Sequence, residues 1–477
     1  MRVNHLSRRL RSAAGALTAT ATVWLLAGLA AGQSVGVPRL SDAAGDYVTY
    51  AVTDLPAYYQ AGAVAAADNT PVLGDDDFPN PISNPGAELG RVLFYDKRLS
   101  HNNGASCASC HAQENGFGDP NQFSVGFEGR LTGRHSPGLS NAAYYARGRF
   151  FWDERAATLE EQVLMPIEDS VEMGSNLDEL EEKLQATDYY PELFRRAFGD
   201  TEVTQERMGL AMAQFVRSMV TYKSKFDEAL AAGPAGSPGF AAQFTNQENQ
   251  GHAIFNRDCG RCHGTEANIA TRPENIGLDP DNEPENGNDA GFNGRFKVAS
   301  LRNIAVRGRF MHDGRFDSLE AVINHYANGI QDNDALSAGL PVGGFGYNPN
   351  QRAALVAFLN TLTDQEFLSS ELFSDPFEQL PGDYDGNGVV DAADYLIWRD
   401  DFGSEAGDFG ALMADGNNDG VVTAADYAIW RDNLGARWDD DPTELLALSV
   451  QTIPEPAALA LVVLAFGVPI RRRRPDG

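Results

Sequence analysis

Cys107-Ala108-Ser109-Cys110-His111 and Cys259-Gly260-Arg261-Cys262-His263 are the two stretches on which the reading of this chain turns. Together they use all four cysteines of its 477 residues. Four cysteines in an exported chain ordinarily pair as two disulfides. The Cys-x-x-Cys-His pattern has another chemistry: its two thiols add to the vinyl groups of a haem and the adjacent imidazole becomes an iron ligand. One such pattern is also that of a redox dithiol, but two that leave no cysteine over imply two covalently bound c-type haems. Cys107, Cys110 and His111 hold one, and Cys259, Cys262 and His263 hold the other.

The sequence around both motifs has the period of helices. Asn176 with Glu179 makes a capping pattern ahead of Leu177, Leu180 and Leu184, which share one helical face. Met208, Met212, Phe215, Met219 and Val220 form a stripe that reads as core, although methionine can also ligate haem. Thr245 with Glu248 caps a helix that runs into the second motif, and helices resume at Ser318 and near Pro349. Residues 88–230 are therefore expected to be mostly helical, residues 264–294 a flexible polar loop, and residues 33–84 a lead-in without periodicity. The expected fold class is mainly α: two cytochrome c-like haem domains followed by a small calcium-binding helical module.

Arg2, Arg8, Arg9 and Arg11 precede an apolar run that ends in small residues near Gly32, the pattern of a signal peptide, with an uncleaved anchor as the alternative. Either way the body is exported. A net charge of -30, from 37 basic and 67 acidic residues, argues against nucleic acid as a partner. Much of that charge lies in residues 382–441, where 15 acidic residues face 3 arginines.

That acidic stretch is a repeat with a period of 32 residues. Asp383, Asp385, Asn387, Asp391 and Asp394 are echoed by Asp415, Asn417, Asp419, Thr423 and Asp426, with Gly388 and Gly420 at the turn position. Each copy ends in Tyr-x-Ile-Trp-Arg-Asp. Oxygen ligands at loop positions 1, 3, 5, 9 and 12 with Gly at 6 suit a seven-coordinate calcium ion. A solvated acidic linker is the alternative, and it leaves the repeated glycine and aromatic register unexplained. The pair resembles a dockerin module, which implies two calcium ions and a cohesin-like docking partner. The C-terminal Pro454-Glu455-Pro456, apolar run and Arg471 to Arg474 look like a PEP-CTERM sorting signal, which would confine membrane contact to that signal.

From Leu89-Gly90-Arg91-Val92-Leu93-Phe94-Tyr95 through both haem motifs, Phe151-Trp152-Asp153-Glu154-Arg155, Val171-Glu172-Met173 and Leu301-Arg302-Asn303-Ile304, the chain resembles bacterial di-haem cytochrome c peroxidases and their MauG-type relatives. The resemblance implies a peroxide site at the His111 haem, an electron-storing site at the His263 haem, and Trp152 between them. It makes Glu172 the acid/base residue and Gln162 its distal partner. Arg134 and Arg155 would serve propionates or packing. Three departures stand out. Phe127 occupies the position of a histidine that blocks the peroxide site in many of these peroxidases. Tyr326 stands where they place a methionine ligand of the second haem, as in MauG-type proteins. His135 stands in place of a calcium-binding asparagine. Tyr326 also shares a helical face with Leu319, Val322 and Ile323, so core packing is its alternative, and His325 is a rival ligand; His101, His135, His252 and His312 are read as structural.

The expected domains are a signal peptide at 1–32, a lead-in at 33–84, a peroxidatic haem domain at 85–235 and a second haem domain at 236–377. A dockerin-like module at 378–438 and a linker with sorting signal at 439–477 follow. The expected activity is reduction of hydrogen peroxide with electrons from a small donor protein, in the periplasm or at the surface of a Gram-negative-type envelope. Two alternatives are a MauG-type oxidase of a protein or organic substrate and a surface-tethered electron carrier. Glu172, Gln162 and the missing distal histidine favour an enzyme, since a pure carrier gains nothing from a proton shuttle.

Overall fold

A computed structural model describes residues 38, 49–50, 55–71, 80–270, 272–280, 293–377, 380–384, 389–404, 414–417 and 421–436. The expected signal peptide and the expected sorting signal lie outside them, as do the loop positions Asp385, Asn387, Gly388, Asp419 and Gly420. Among the described residues there is no β-strand, only isolated bridges, and none of the helices is long and apolar enough to cross a membrane.

The main helices are α1 (Asn84–Tyr95), α2 (Leu177–Gln185), α3 (Tyr190–Phe198), α4 (Gln205–Ser218), α5 (Lys225–Ala232), α6 (Asn246–Asp258), α7 (Leu319–Asn328), α8 (Pro349–Asn360), α9 (Ala392–Asp401) and α10 (Ala424–Asn433). Their starts follow local chemistry. The Asn176 side chain accepts the Glu179 amide, Thr245 and Glu248 close a reciprocal capping box, and Ser318 and Asn348 cap α7 and α8, the latter with Pro349 at its first position. Each such cap satisfies amides that the first turn leaves unpaired.

The two largest hydrophobic cores among the described residues are each built on a helix crossing. In the first, α1 crosses α4, burying Leu89, Val92, Leu93 and Phe94 against the methionine stripe Met208, Met212 and Met219. In the second, α6 crosses α8, burying Ile254 and Phe255 against Leu355, Phe358 and Leu359. Both crossings bring backbone against backbone. A Cβ at Gly90 would collide with the Ala211 carbonyl and Phe215, and one at Gly251 with the Ala354 carbonyl and Phe358. Phe367, Phe373 and Phe377, after α8, close back onto the first core.

The two halves repeat one another beyond these helices. Leu139-Ser-Asn141 and Arg149-Phe-Phe-Trp-Asp-Glu-Arg155 find counterparts in Leu301-Arg-Asn303 and Arg309-Phe-Met-His-Asp-Gly-Arg315. Asn141 and Asn303 share a left-handed backbone, φ 61 and 59, and their side chains accept the amides of Thr221 and Asp364. Phe151 and Met311 are left-handed too, φ 66 and 73, within equivalent turns bridged by Phe150 to Ala156 and Phe310 to Phe316.

Two regions differ from the expectation. Residues 97–157 hold only short 3-10 turns, because their Gly, Pro, Asn and Ser residues satisfy the backbone through side chains and turns. Of the expected flexible loop, residues 265–270 and 272–280 are built into the fold: Ala267, Asn268, Ile269 and Asn275 are buried, Ala267 and Ile269 in a cluster with Tyr59, Tyr144 and Val220. Their polarity serves buried backbone, as where Asn275 accepts the Gly277 amide and Ser337 the Asn275 amide. The lead-in gains a role as packing. Tyr50 sets its edge on Phe215, Tyr59 is buried against Tyr144, and Asn80 bonds Glu160 and Gln214.

In the C-terminal repeat, α9 packs on α10. Asp391 and Thr423 cap these helices, and the tryptophans clasp the copies together: Trp398 Nε1 donates to the Thr423 carbonyl and Trp430 Nε1 to the Asp391 carbonyl, each at 2.7 Å.

The glycine crossings generate a prediction. Gly251→Ala overpacks the α6–α8 contact, and destabilisation of about 1–3 kcal/mol is expected. Thermal melting should show a Tm lower by several degrees with two haems still attached; an unchanged Tm would mean that the helices are not in backbone contact.

Candidate haem sites

His111 follows a 3-10 turn, Cys107–Ser109, whose amides fold back so that the His111 N–H reaches the Cys107 carbonyl at 3.0 Å. Its Nδ1 lies 2.8 Å from the Phe117 carbonyl. That contact fixes the proton on Nδ1 and leaves the Nε2 lone pair free. His263 repeats the arrangement, with Nδ1 3.3 Å from the Asn268 carbonyl. Burial pushes both imidazoles below their ordinary range, His263 to about 4, which keeps them neutral as metal ligation requires. Phe94 and Phe255, from α1 and α6, stand behind the two rings. No two of the four cysteines are joined as a disulfide.

Each histidine lines a cavity. The first also gathers Trp152, Gln162, Asp169, Glu172, Arg134 and Arg155. Glu172 is brought there by a turn in which Asp169 Oδ1 accepts the amides of Val171 and Glu172, while the Glu172 carbonyl takes the Phe127 amide. Among the described residues its carboxyl has no hydrogen-bond partner. Burial, aided by the charge of Asp169, pushes it up to about 7. Gln162 ends the short helix Leu159–Gln162, which Thr158 caps. Arg134 and Arg155 are both spent on Asp153, at 2.9 and 3.0 Å.

Phe127 does not line the cavity. Its ring lies over Gly174 and edge-on to His101. The histidines that line this cavity are His111 and His135, and His135 Nδ1 is engaged by the Asn121 carbonyl at 3.1 Å.

The second cavity is more apolar, and Cys259, Cys262, His263, Met311, Leu319, Ile323 and Tyr326 are among its lining. The Tyr326 hydroxyl has no hydrogen bond among the described residues, and burial, then the neighbouring thiols Cys259 and Cys262, raise it well above the ordinary phenol. His325, the rival, points elsewhere: its Nε2 lies 3.0 Å from the Ile276 carbonyl and it is absent from the cavity wall. Trp152 lines both cavities and is pinned twice, its Nε1 donating to the His135 carbonyl and its own carbonyl accepting the Lys297 amide, at 2.7 and 2.8 Å. His252 sits in a cage of Phe226, Phe240, Phe244 and Phe358, and His312 stacks on Phe296 at 3.7 Å.

Neutral imidazoles with a free Nε2, paired thiols beside each and a cavity in front fit one covalently held haem apiece. The arrangement defines a di-haem c-type cytochrome with one polar and one apolar cavity. Comparison with known proteins places it further. The family model of di-haem cytochrome c peroxidase matches residues 84–234, and that of the dockerin type I domain matches residues 381–435. The chain is similar to the methylamine utilization protein MauG of Methylorubrum extorquens, 34% identical over 330 residues, 66% of this chain and 90% of that protein. It is similar to the cytochrome c551 peroxidase of Nitrosomonas europaea, 32% identical over 290 residues, 59% of this chain and 80% of that one. Among solved structures it matches a MauG-like protein associated with microbial copper homeostasis at 30% identity and a TM-score of 0.57, covering 68% of this chain and 99% of that one. The chain belongs to the di-haem cytochrome c peroxidase and MauG family, an oxidoreductase family with two c-type haems, and carries a dockerin domain at its C-terminal side.

In the repeat loops expected to bind calcium, Asp383, Asp394 and Asp426 are fully buried, and Asp426 accepts the amides of Asn417 and Thr423. Among the described residues no three His, Cys, Asp or Glu side chains gather as a metal-binding group, and Asp385, Asn387 and Asp419 lie outside the described residues. Sequence reasoning missed Lys297 and Arg307 in the cavity walls. The signal available was a basic residue four or five positions to either side of Leu301-Arg302-Asn303, within an otherwise apolar stretch.

Proposed function

We propose that this chain is an exported peroxidase that reduces hydrogen peroxide with electrons from a small donor protein of the envelope. In this reading residues 85–235 form the peroxidatic domain and 236–377 the electron-storing domain, with haems held by Cys107, Cys110 and His111 and by Cys259, Cys262 and His263. When bound, the first haem supplies an iron with an open position for peroxide. Glu172 takes the proton from one peroxide oxygen and returns it to the other as the O–O bond breaks, so that the first water leaves, while Gln162 orients the peroxide by hydrogen bonding. Two electrons from the donor and two protons carry the remaining oxygen to a second water. Trp152 stands between the two sites. The observation that carries this reading is Glu172 itself: a carboxyl facing the His111 cavity, free of partners among the described residues and held near 7 by burial, is suited to both halves of a proton transfer. An electron carrier has no use for such a group.

One observation favours the MauG-type reading, in which peroxide equivalents oxidise a protein or organic substrate. The Tyr326 hydroxyl is unpartnered among the described residues and its side chain lines the cavity of His263. A tyrosinate ligand there would favour ferric iron and make the second haem a poor electron reserve. For the C-terminal module we infer two calcium ions, bound by Asp383, Asp385, Asn387, Asp391 and Asp394 and by Asp415, Asn417, Asp419, Thr423 and Asp426. A cohesin-like partner would dock on a face that includes the exposed Leu396, Phe402 and Leu434. This module gives an address in the periplasm or at the cell surface rather than a chemistry.

Glu172→Gln should slow the reaction with peroxide by about 10²-fold or more. Glu172 must be ionised to accept the proton, so the wild-type rate should rise with pH through about 7 and the variant should lose that inflection. Stopped-flow rates that match wild type across this range would remove Glu172 from the mechanism. Tyr326→Met should raise the potential of the second haem and improve turnover with a cytochrome donor. If Tyr326→Phe leaves both haem spectra unchanged, Tyr326 is core and the plain peroxidase is the better account.

A further inference from the structure

The two cavities meet along a seam, and the residues that line both include His135, Trp152, Lys297 and Ser300 but no carboxylate. Two cations face it. The Lys297 ammonium lies over the rings of Tyr145 and Phe150, 4.8 and 5.8 Å from their centroids, and makes no hydrogen bond among the described residues. Glu154, the acid whose charge reaches it, is already engaged by Arg147 Nε, at 2.8 and 2.9 Å, and by the Tyr145 hydroxyl. The Arg307 guanidinium lies against Gly138, where a Cβ would leave it no room. Its Nη2 donates to the carbonyls of Ser300 and Arg302 at 3.1 and 3.0 Å, and its buried Nε has no partner. Neither cation forms an ion pair with a carboxylate among the described residues.

Leaving a charge buried and uncompensated is strongly destabilising. Here two like charges also repel each other, and burial lowers Lys297 to about 8 and Arg307 to about 10. Elsewhere the fold treats buried cations differently. Arg302, fully buried, has Asp227 at 2.6 Å. Lys297 and Arg307 are thus arranged for an anion brought in from outside the chain, and each haem carries two carboxylates on its propionate arms.

We propose that Lys297 and Arg307 are propionate-binding residues: Arg307, which lines the second cavity, holds a propionate of the His263 haem, and Lys297, which lines both, holds a propionate where the two haems approach. The side-chain cations supply the positive charge of the seam, so a divalent cation is excluded from it. His135, neutral and turned to the Asn121 carbonyl, adds no ligand charge that would attract one. The pair also tunes the haems. A positive charge beside a propionate disfavours ferric iron, which carries the extra positive charge, so both residues raise the reduction potential.

The proposal rests on covalent haem at both motifs, which the haem-to-protein ratio of the wild type reports independently. The test is spectroelectrochemistry of the full-length holoprotein. In Arg307→Met the ferric-to-ferrous ratio of the His263 haem, read at fixed potential, should rise about tenfold, equivalent to about 59 mV for one electron. Lys297→Met should move both haems in the same direction. Arg307→Lys should restore most of the wild-type potential, which a role in packing alone would not do, and it keeps the test decisive if Arg307→Met fails to fold. Treatment with a calcium chelator should leave both haem spectra and potentials as they were. Unchanged potentials in Arg307→Met and Lys297→Met with two haems attached would overturn the assignment, and so would failure of Arg307→Lys to recover the wild-type value. Haem spectra that respond to the chelator would overturn the exclusion of a divalent cation.

Discussion

Backbone pressed against backbone at Gly90 and Gly251 is the constraint from which the rest of this molecule follows. Only a residue without a side chain lets α1 lie on the Ala211 carbonyl and α6 on the Ala354 carbonyl. That approach brings Phe94 and Phe255 behind the imidazoles of His111 and His263. The histidines are then fixed from the other side by a carbonyl on Nδ1, so each ring is held in one tautomer before any cofactor arrives. The positions of both cavities descend from two helix crossings.

On this duplicated frame the two sites diverge by what fills them. The first cavity receives Glu172 and Gln162 from the segment after Trp152, and its carboxyl has no partner among the described residues. The second receives Tyr326 from α7 within an apolar wall. Equivalent turns present Trp152 in one half and His312 in the other; Trp152 borders both cavities and His312 the second alone. The same backbone therefore supports one cavity that holds a carboxyl and one that holds a phenol, with the pinned indole of Trp152 among the residues on the seam between them.

The sequence made much of this legible where chemistry is local. The haem motifs, the capping residues Asn176, Thr245 and Ser318, the methionine stripe and the 32-residue repeat all rest on spacing within a few turns of chain. What escaped was non-local or disguised by polarity. The duplication of residues 139–155 in 301–315 hides behind a change in spacing and the substitution of Trp152 by His312. Residues 272–280 read as a loop because Asn275 looks solvent-seeking, whereas its side chain satisfies buried backbone. His325 and Tyr326 could not be separated by position, since neighbouring residues on a helix differ by about 100° in direction, and only the Ile276 carbonyl decides which one faces the cavity.

The central claim is that the His111 site is open to peroxide as the protein folds and is linked to the second site through Trp152. Its most direct test is rapid mixing of the oxidised, donor-free holoprotein with one equivalent of hydrogen peroxide, followed across the whole absorption spectrum. The account predicts reaction without prior reduction and simultaneous change in the bands of both haems. A resting protein that ignores peroxide until one haem has been reduced would contradict it.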